Sequence, residues 1–186
     1  NTAVSADTLQ LQHRDLVVSA LQATPNPVAS AGVLTVTSRV ANAGSAVIDG
    51  NWFDRWYLSR TEALGNDARL LAEVAAGGRF APGEGYERTV ELQIPIDADG
   101  SWFVVQVTDA RGQVAEVNAE NNNSRATPLQ VQLSAYADLR VSGVTAPERL
   151  IQDPARVTVG WTVSNAGTGI GLTTRWTDTV LLSRDE

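Results

Sequence analysis

Few side chains in this chain could do chemistry, and their spacing is more telling than their number. The chain has 186 residues, with one histidine, His13, and no cysteine. A Ser-His-Asp site needs a base held against a serine, and no G-x-S-x-G elbow is present, so no catalytic residue is assigned. Zinc sites built from His and Cys are excluded by count. What remains is acidic. Asp97-Ala98-Asp99-Gly100 resembles the start of an oxygen-ligand calcium loop, and D-x-D-G is equally good turn chemistry. Asp97 and Asp99, with Asp138 of the following linker, are the weak calcium candidates. In that reading calcium ties carboxylates from two domains together and stiffens their junction. No cofactor is required.

A second acidic residue stands out by its surroundings. Trp52, Asp54, Trp56 and Leu58 share one face of an alternating stretch. An aspartate on an apolar face must be hydrogen-bonded or paired, and backbone N–H groups or an arginine are the expected partners. The same pattern returns as Trp176, Asp178, Val180 and Leu182, an offset of about 124 residues (176 − 52). On the other face, Phe53 and Tyr57, together with Trp102, are the aromatics best placed to serve as a carbohydrate platform. Glu116, Asn118, Glu120, Asn121 and Asn122 form a polar loop whose Asn side chains can satisfy backbone groups where strand pairing stops.

These residues need strands to position them. Val33 to Asn42 alternates and is rich in β-branched residues, and Tyr86 to Ile94 alternates with Tyr86, Arg88, Val90, Leu92 and Ile94 on one face. Ser101 to Asp109 reads as a strand buried on both faces, and Thr127 to Leu133 as a closing strand. Leu70 to Ala75 reads as a strand or helical turn ending at Gly77-Gly78, and Arg111-Gly112 as a hairpin turn into Gln113 to Val117. About seven strands at ten-residue spacing, with no long helix, predict an all-β, immunoglobulin-like antiparallel β-sandwich.

The repeat sets the domain plan. Asp15 to Gln22 returns as Asp138 to Thr145, about 123 residues on (138 − 15), and Asn-Ala-Gly recurs at 42–44 and 165–167. The plan is residues 1–14 as the tail of a preceding repeat plus linker, 15–133 as a complete repeat, 134–137 as a linker, and 138–186 as the first half of a second repeat. That half copy is expected to be incomplete unless another segment completes it. All fourteen basic residues are Arg, scattered through a chain of net charge −7, so nucleic acid is not an expected partner. No apolar run approaches the ~20 residues of a membrane helix.

The D-L-V-V at 15–18, V-A-N-A-G at 40–44, Y-L-S at 57–59 and above all V-A-E-V-N-A-E-N-N at 114–122 resemble the CARDB family, the cell-adhesion-related domain found in bacteria. The resemblance covers 15–133 and then 138–186 as a half copy. It implies immunoglobulin-like sandwiches repeated in tandem within large extracellular or surface-attached bacterial proteins. It also implies adhesion or display without catalysis. Expected partners are neighbouring repeats and a surface glycan or protein. An accessory repeat of a larger secreted enzyme is a further reading. The loop at 60–68 departs from relatives that carry an acidic, Asp-Gly-rich loop there, which removes support for a metal at that position.

Overall fold

A computed structural model describes residues 11–116, 122–149, 151, 153–170 and 175–183. The segment Asn1–Gln10, expected to belong to a preceding strand, lies outside them, as do Asn118, Glu120 and Asn121 of the polar loop. The chain divides into two compact units, Asn1–Leu133 and Ser134–Glu186.

The first unit is a sandwich. Strands β1 (Leu16–Thr24), β3 (Val33–Asn42) and β6 (Gly85–Gln93) form a three-stranded sheet in the order β1-β3-β6. Strands β2 (Val28–Ala29), β8 (Ser124–Gln132), β7 (Gly100–Val107), β4 (Ile48–Ser59) and β5 (Arg69–Phe80) form the other sheet, in that order. The ladders are antiparallel except the short β2–β8 pair, which is parallel. No helix occurs among the described residues. The chain is therefore all-β with an immunoglobulin-like sandwich at its N-terminal end.

Alternation places the core between the sheets. Leu34, Val36 and Val40 of β3 face Trp52, Trp56 and Leu58 of β4, all at most 1% exposed. Leu92 and Ile94 enter from β6 and its exit, and Leu129 and Val131 from β8. Trp102, Val104 and Gln106 of β7 are also buried. Val105, pointing the other way, is buried too, so β7 is covered on both faces at this point.

Three expectations need correction. β5 does not stop at Gly77-Gly78; it runs through both to Phe80, with Gly77 opposite Asn51 and Gly78 opposite Gly50. The long partner β4 supplies the ladder, and this pairing overrides the weak strand preference of glycine. Residues 113–116 are not a strand. Asp109, at φ 46°, accepts the N–H groups of Gln113 and Val114 (2.8 Å each) and closes a turn instead.

The third concerns the second unit. Its described strands are β9 (Leu139–Thr145) and β10 (Gly160–Asn165), one antiparallel pair. Residues 175–183, expected to form the second Trp-bearing strand, join no sheet. Trp176, Val180 and Leu182 are exposed rather than core. In the first unit, β5 and β7 flank β4 and the opposite sheet covers its face; the described part of the second unit holds no such neighbours.

Candidate functional site

The D-x-D-G turn is built and already engaged. Ala98 N–H bonds Pro95 C=O at 3.1 Å, and Gly100 takes φ 77° to start β7. The Asp97 carboxylate pairs with Arg69 at 2.7 Å, and that bond holds its pKa below the usual carboxylate range. Asp99 Oδ1 accepts the Leu133 N–H at 3.3 Å. Arg60 donates to Asp99 C=O and Ser101 C=O at 3.1 and 2.8 Å. A dication here would face two guanidinium groups, so the local charge opposes it. Asp138, the third calcium candidate, belongs to the second unit and bonds Arg140. Among the described residues no group of three or more His, Cys, Asp or Glu could hold a metal.

Asp54 is 0% exposed, and its partners are not those expected. Tyr86 Oη donates to Asp54 Oδ2 at 2.6 Å, and Thr108 Oγ1 to Oδ1 at 2.9 Å. Trp52 Nε1 donates to Tyr86 Oη at 3.1 Å. Hydroxyls from β6 and the turn after β7 thus do the work assigned to backbone N–H groups or arginine. Burial pushes the Asp54 pKa above its ordinary value, opposed by the two hydroxyl bonds and by Arg88. Burial and the adjacent carboxylate push the Tyr86 hydroxyl up. Trp52, Phe80 and Tyr86 pack ring against ring at 5.6–6.1 Å. Asp54 and Trp52 are fully buried, and a carboxylate whose two oxygens are both taken up by hydroxyls from neighbouring segments fits a structural network. Asp178 instead accepts Trp161 Nε1 at 3.0 Å in an exposed setting.

The aromatic platforms are largely covered. Trp102 is 4% exposed, with Arg60 stacked over its ring at 3.5 Å and Arg69 at 5.5 Å. Arg111 lies 3.8 Å over Phe53. It is held there by Glu73, which also bonds Arg55 at 2.6 Å. Those two guanidinium groups, Arg111 first, keep Glu73 below the usual carboxylate range. Tyr57 is half-buried. A shallow depression of about 180 Å³, lined by Ala20, Gln22, Thr37, Ser38, Arg39 and Glu87, contains no aromatic ring.

The polar loop does have a job. Glu116 Oε1 accepts the Leu16 N–H at 2.6 Å, and Asn122 Nδ2 donates to Asp15 Oδ1 at 3.0 Å. Glu116 and Asn122, from the most specific of the resembling stretches, thus clasp Asp15-Leu16 of another across about 100 residues. Next to the clasp, His13 C=O accepts the N–H groups of Ser45 and Ala46 at 2.8 Å each, and Ala43 N–H bonds Asp15 C=O at 2.7 Å. The lone histidine thus anchors the leading segment through its backbone. No sequence signal pairs these stretches, because loop contacts leave no periodicity.

The Asn-Ala-Gly turn is built the same way in both units. Asn42 Oδ1 accepts Gly44 N–H at 3.0 Å and its Nδ2 donates to Ala46 C=O at 2.8 Å. Asn165 Oδ1 accepts Gly167 N–H at 2.9 Å and its Nδ2 donates to Gly169 C=O at 2.8 Å. Ala166 N–H bonds Asp138 C=O at 2.7 Å, and Gly169 N–H bonds Tyr136 C=O at 2.8 Å. A Cβ on Gly44 would lie 2.4 Å from His13 O, and one on Gly167 2.2 Å from Tyr136 O, so close chain approach excludes larger residues from both turns. The strand register repeats as well: Leu16 opposes Asn42 and Leu139 opposes Asn165, and β1 and β9 each carry a bulge.

Comparison with solved structures finds the CARDB domain of a Pyrococcus furiosus protein in complex with di-metal ions. It is 21% identical, with a TM-score of 0.50 over 68% of this chain and 100% of that one. A solution structure of the same domain gives 22% identity and a TM-score of 0.49 over 67% and 100%. A β-glucosidase from Thermotoga neapolitana matches at 16% identity and a TM-score of 0.43, over 64% of this chain and 16% of its own. No curated protein matches the chain. The CARDB family model matches residues 13–127, a span that holds the clasp, the Asn-Ala-Gly turn and nearly all of the sandwich, and the chain belongs to the CARDB family.

Proposed function

We propose that the first unit is a load-bearing spacer repeat of an extracellular, adhesion-related bacterial protein, set in tandem with further copies. The observation that carries this reading is where the chain enters and leaves. Asp15 meets Asn122, just before β8, so β1 and β8 start at one pole. β2, which follows β1, runs parallel to β8. Leu133 bonds Asp99 at the other pole. Copies joined in this way add length, roughly 30 Å for each nine-residue closing strand. The repeated turn and register support a second copy of the same design after residue 133.

No catalytic role is proposed. The alternative, a glycan- or protein-binding module, needs exposed rings; in the first unit arginines lie over Phe53 and Trp102, which favours the spacer for that unit. Within an array such units act as neighbours in series. The test is a glycan array and a surface-protein panel probed with the folded chain. The spacer reading expects no saturable binding. A specific glycan hit that Arg111→Ala or Tyr57→Ala alters would replace it with the binding module.

A further inference from the structure

We propose that the β2–β8 pair is a shear clamp that sets the resistance of this unit to stretching. This deepens the spacer reading and rests on it. Tension along an array enters through β1, in the three-stranded sheet, and leaves through β8, in the five-stranded sheet. It therefore draws the two sheets past each other. The apolar core between them is non-directional and resists sliding weakly. The chain itself crosses from one sheet to the other between Thr24 and Val28. There Asn26 acts as an extra rung of the ladder: its Nδ2 donates to Pro128 C=O at 3.1 Å, and its Oδ1 accepts Gln130 N–H at 2.9 Å. Val28 and Ala29 then pair with Val131 and Gln132, and Ser30 N–H bonds Gln132 C=O at 2.8 Å.

These bonds stand in file along the strand axis of a parallel pair. Pulling β1 from one pole and β8 from the other loads them together, in shear. An antiparallel hairpin pulled at its open end instead parts one bond at a time. The Asp15–Asn122 and Leu16–Glu116 bonds of the clasp join the same path at the leading pole.

The chain has no cysteine, so paired cysteine handles define the direction of pull. Handles at exposed Leu11 and Leu133 load the clamp. Handles at Arg79 and Leu133 load the five-stranded sheet through β5, β4, β7 and β8 and bypass it. Force spectroscopy on the full chain reads the unfolding rate at fixed load. Asn26→Ala removes two polar bonds from the clamp. It is expected to raise that rate about tenfold along 11–133 and less than twofold along 79–133. Asn26→Asp, which keeps the acceptor for Gln130, falls between. Val90→Ala in β6, off the load path, shifts the rate equally in both directions. Equal effects of Asn26→Ala in the two directions, or none along 11–133, overturn the clamp. The distance between the 11 and 133 labels without load tests the spacer separately: a pole-to-pole separation without directional strength keeps the spacer and discards the clamp.

Discussion

Replacing Tyr86 with phenylalanine removes one oxygen from the middle of a buried chain of donors. In the native protein that oxygen donates to the Asp54 carboxylate at 2.6 Å and accepts the Trp52 indole N–H at 3.1 Å. Both Asp54 and Trp52 are 0% exposed, and the phenylalanine ring still fills the place between them and solvent. A hydrogen bond to a charged group contributes roughly 1.5–3 kcal/mol, and a stranded buried donor costs ~1–3 kcal/mol more. The expected loss at pH 7 is about 3 kcal/mol, a large part of the stability of a small domain.

The sign of the pH dependence follows from Asp54. Its folded pKa is already raised above 3.8 by burial. A raised pKa means that proton binding favours the folded state. That stabilisation is full below the unfolded pKa and is lost as pH rises through the folded one. Tyr86→Phe removes a bond that favours the ionised form, so the folded pKa rises further. The gap between wild type and variant therefore narrows as pH falls toward about 4 and widens toward neutrality. Urea denaturation at several pH values reads it directly. A loss below ~1 kcal/mol at pH 7, or one that does not change with pH, refutes the buried-carboxylate account.

Three further outcomes follow. Trp56→Ala, at a fully buried site beside β7, should cost about 3–5 kcal/mol in denaturant midpoint experiments and leave no cooperative unfolding if the fold fails. Gly44→Ala must push the His13 carbonyl aside; amide exchange at Ser45 and Ala46 should speed up at least about tenfold if their two bonds open. Adding calcium or chelator to the chain should leave its thermal midpoint unchanged, because Asp97 and Asp99 are engaged and two arginines adjoin them; a rise with calcium would place a cation at the turn after all.

Alternation made most strands legible. Val33 to Asn42 emerges with its expected bounds, and the face carrying Trp52, Asp54, Trp56 and Leu58 is the core face, because period-2 burial is a local property of a strand. What depended on partners far along the chain was not legible. Gly77-Gly78 looked like an end, yet β4 holds both in the ladder. Asp54 announced that it needed donors but not which ones, since Tyr86 comes from β6 and Thr108 from the turn after β7. Phe53 and Trp102 stood as platform candidates because nothing in the sequence says that Arg111 and Arg60 lie over them. The second Trp-bearing stretch repeats the Trp, Asp and Leu of its copy at 176, 178 and 182, but a strand needs a paired neighbour as well as a pattern.

The most direct measurement of the central claim is the distance between spin labels at positions 11 and 133 in the folded chain. A unit that takes the chain in at one pole and releases it at the other gives a narrow distribution at about 30 Å or more. A short distance, with both labels at the same end of the sandwich, would mean that successive copies fold back rather than extend, and the spacer account would not survive it.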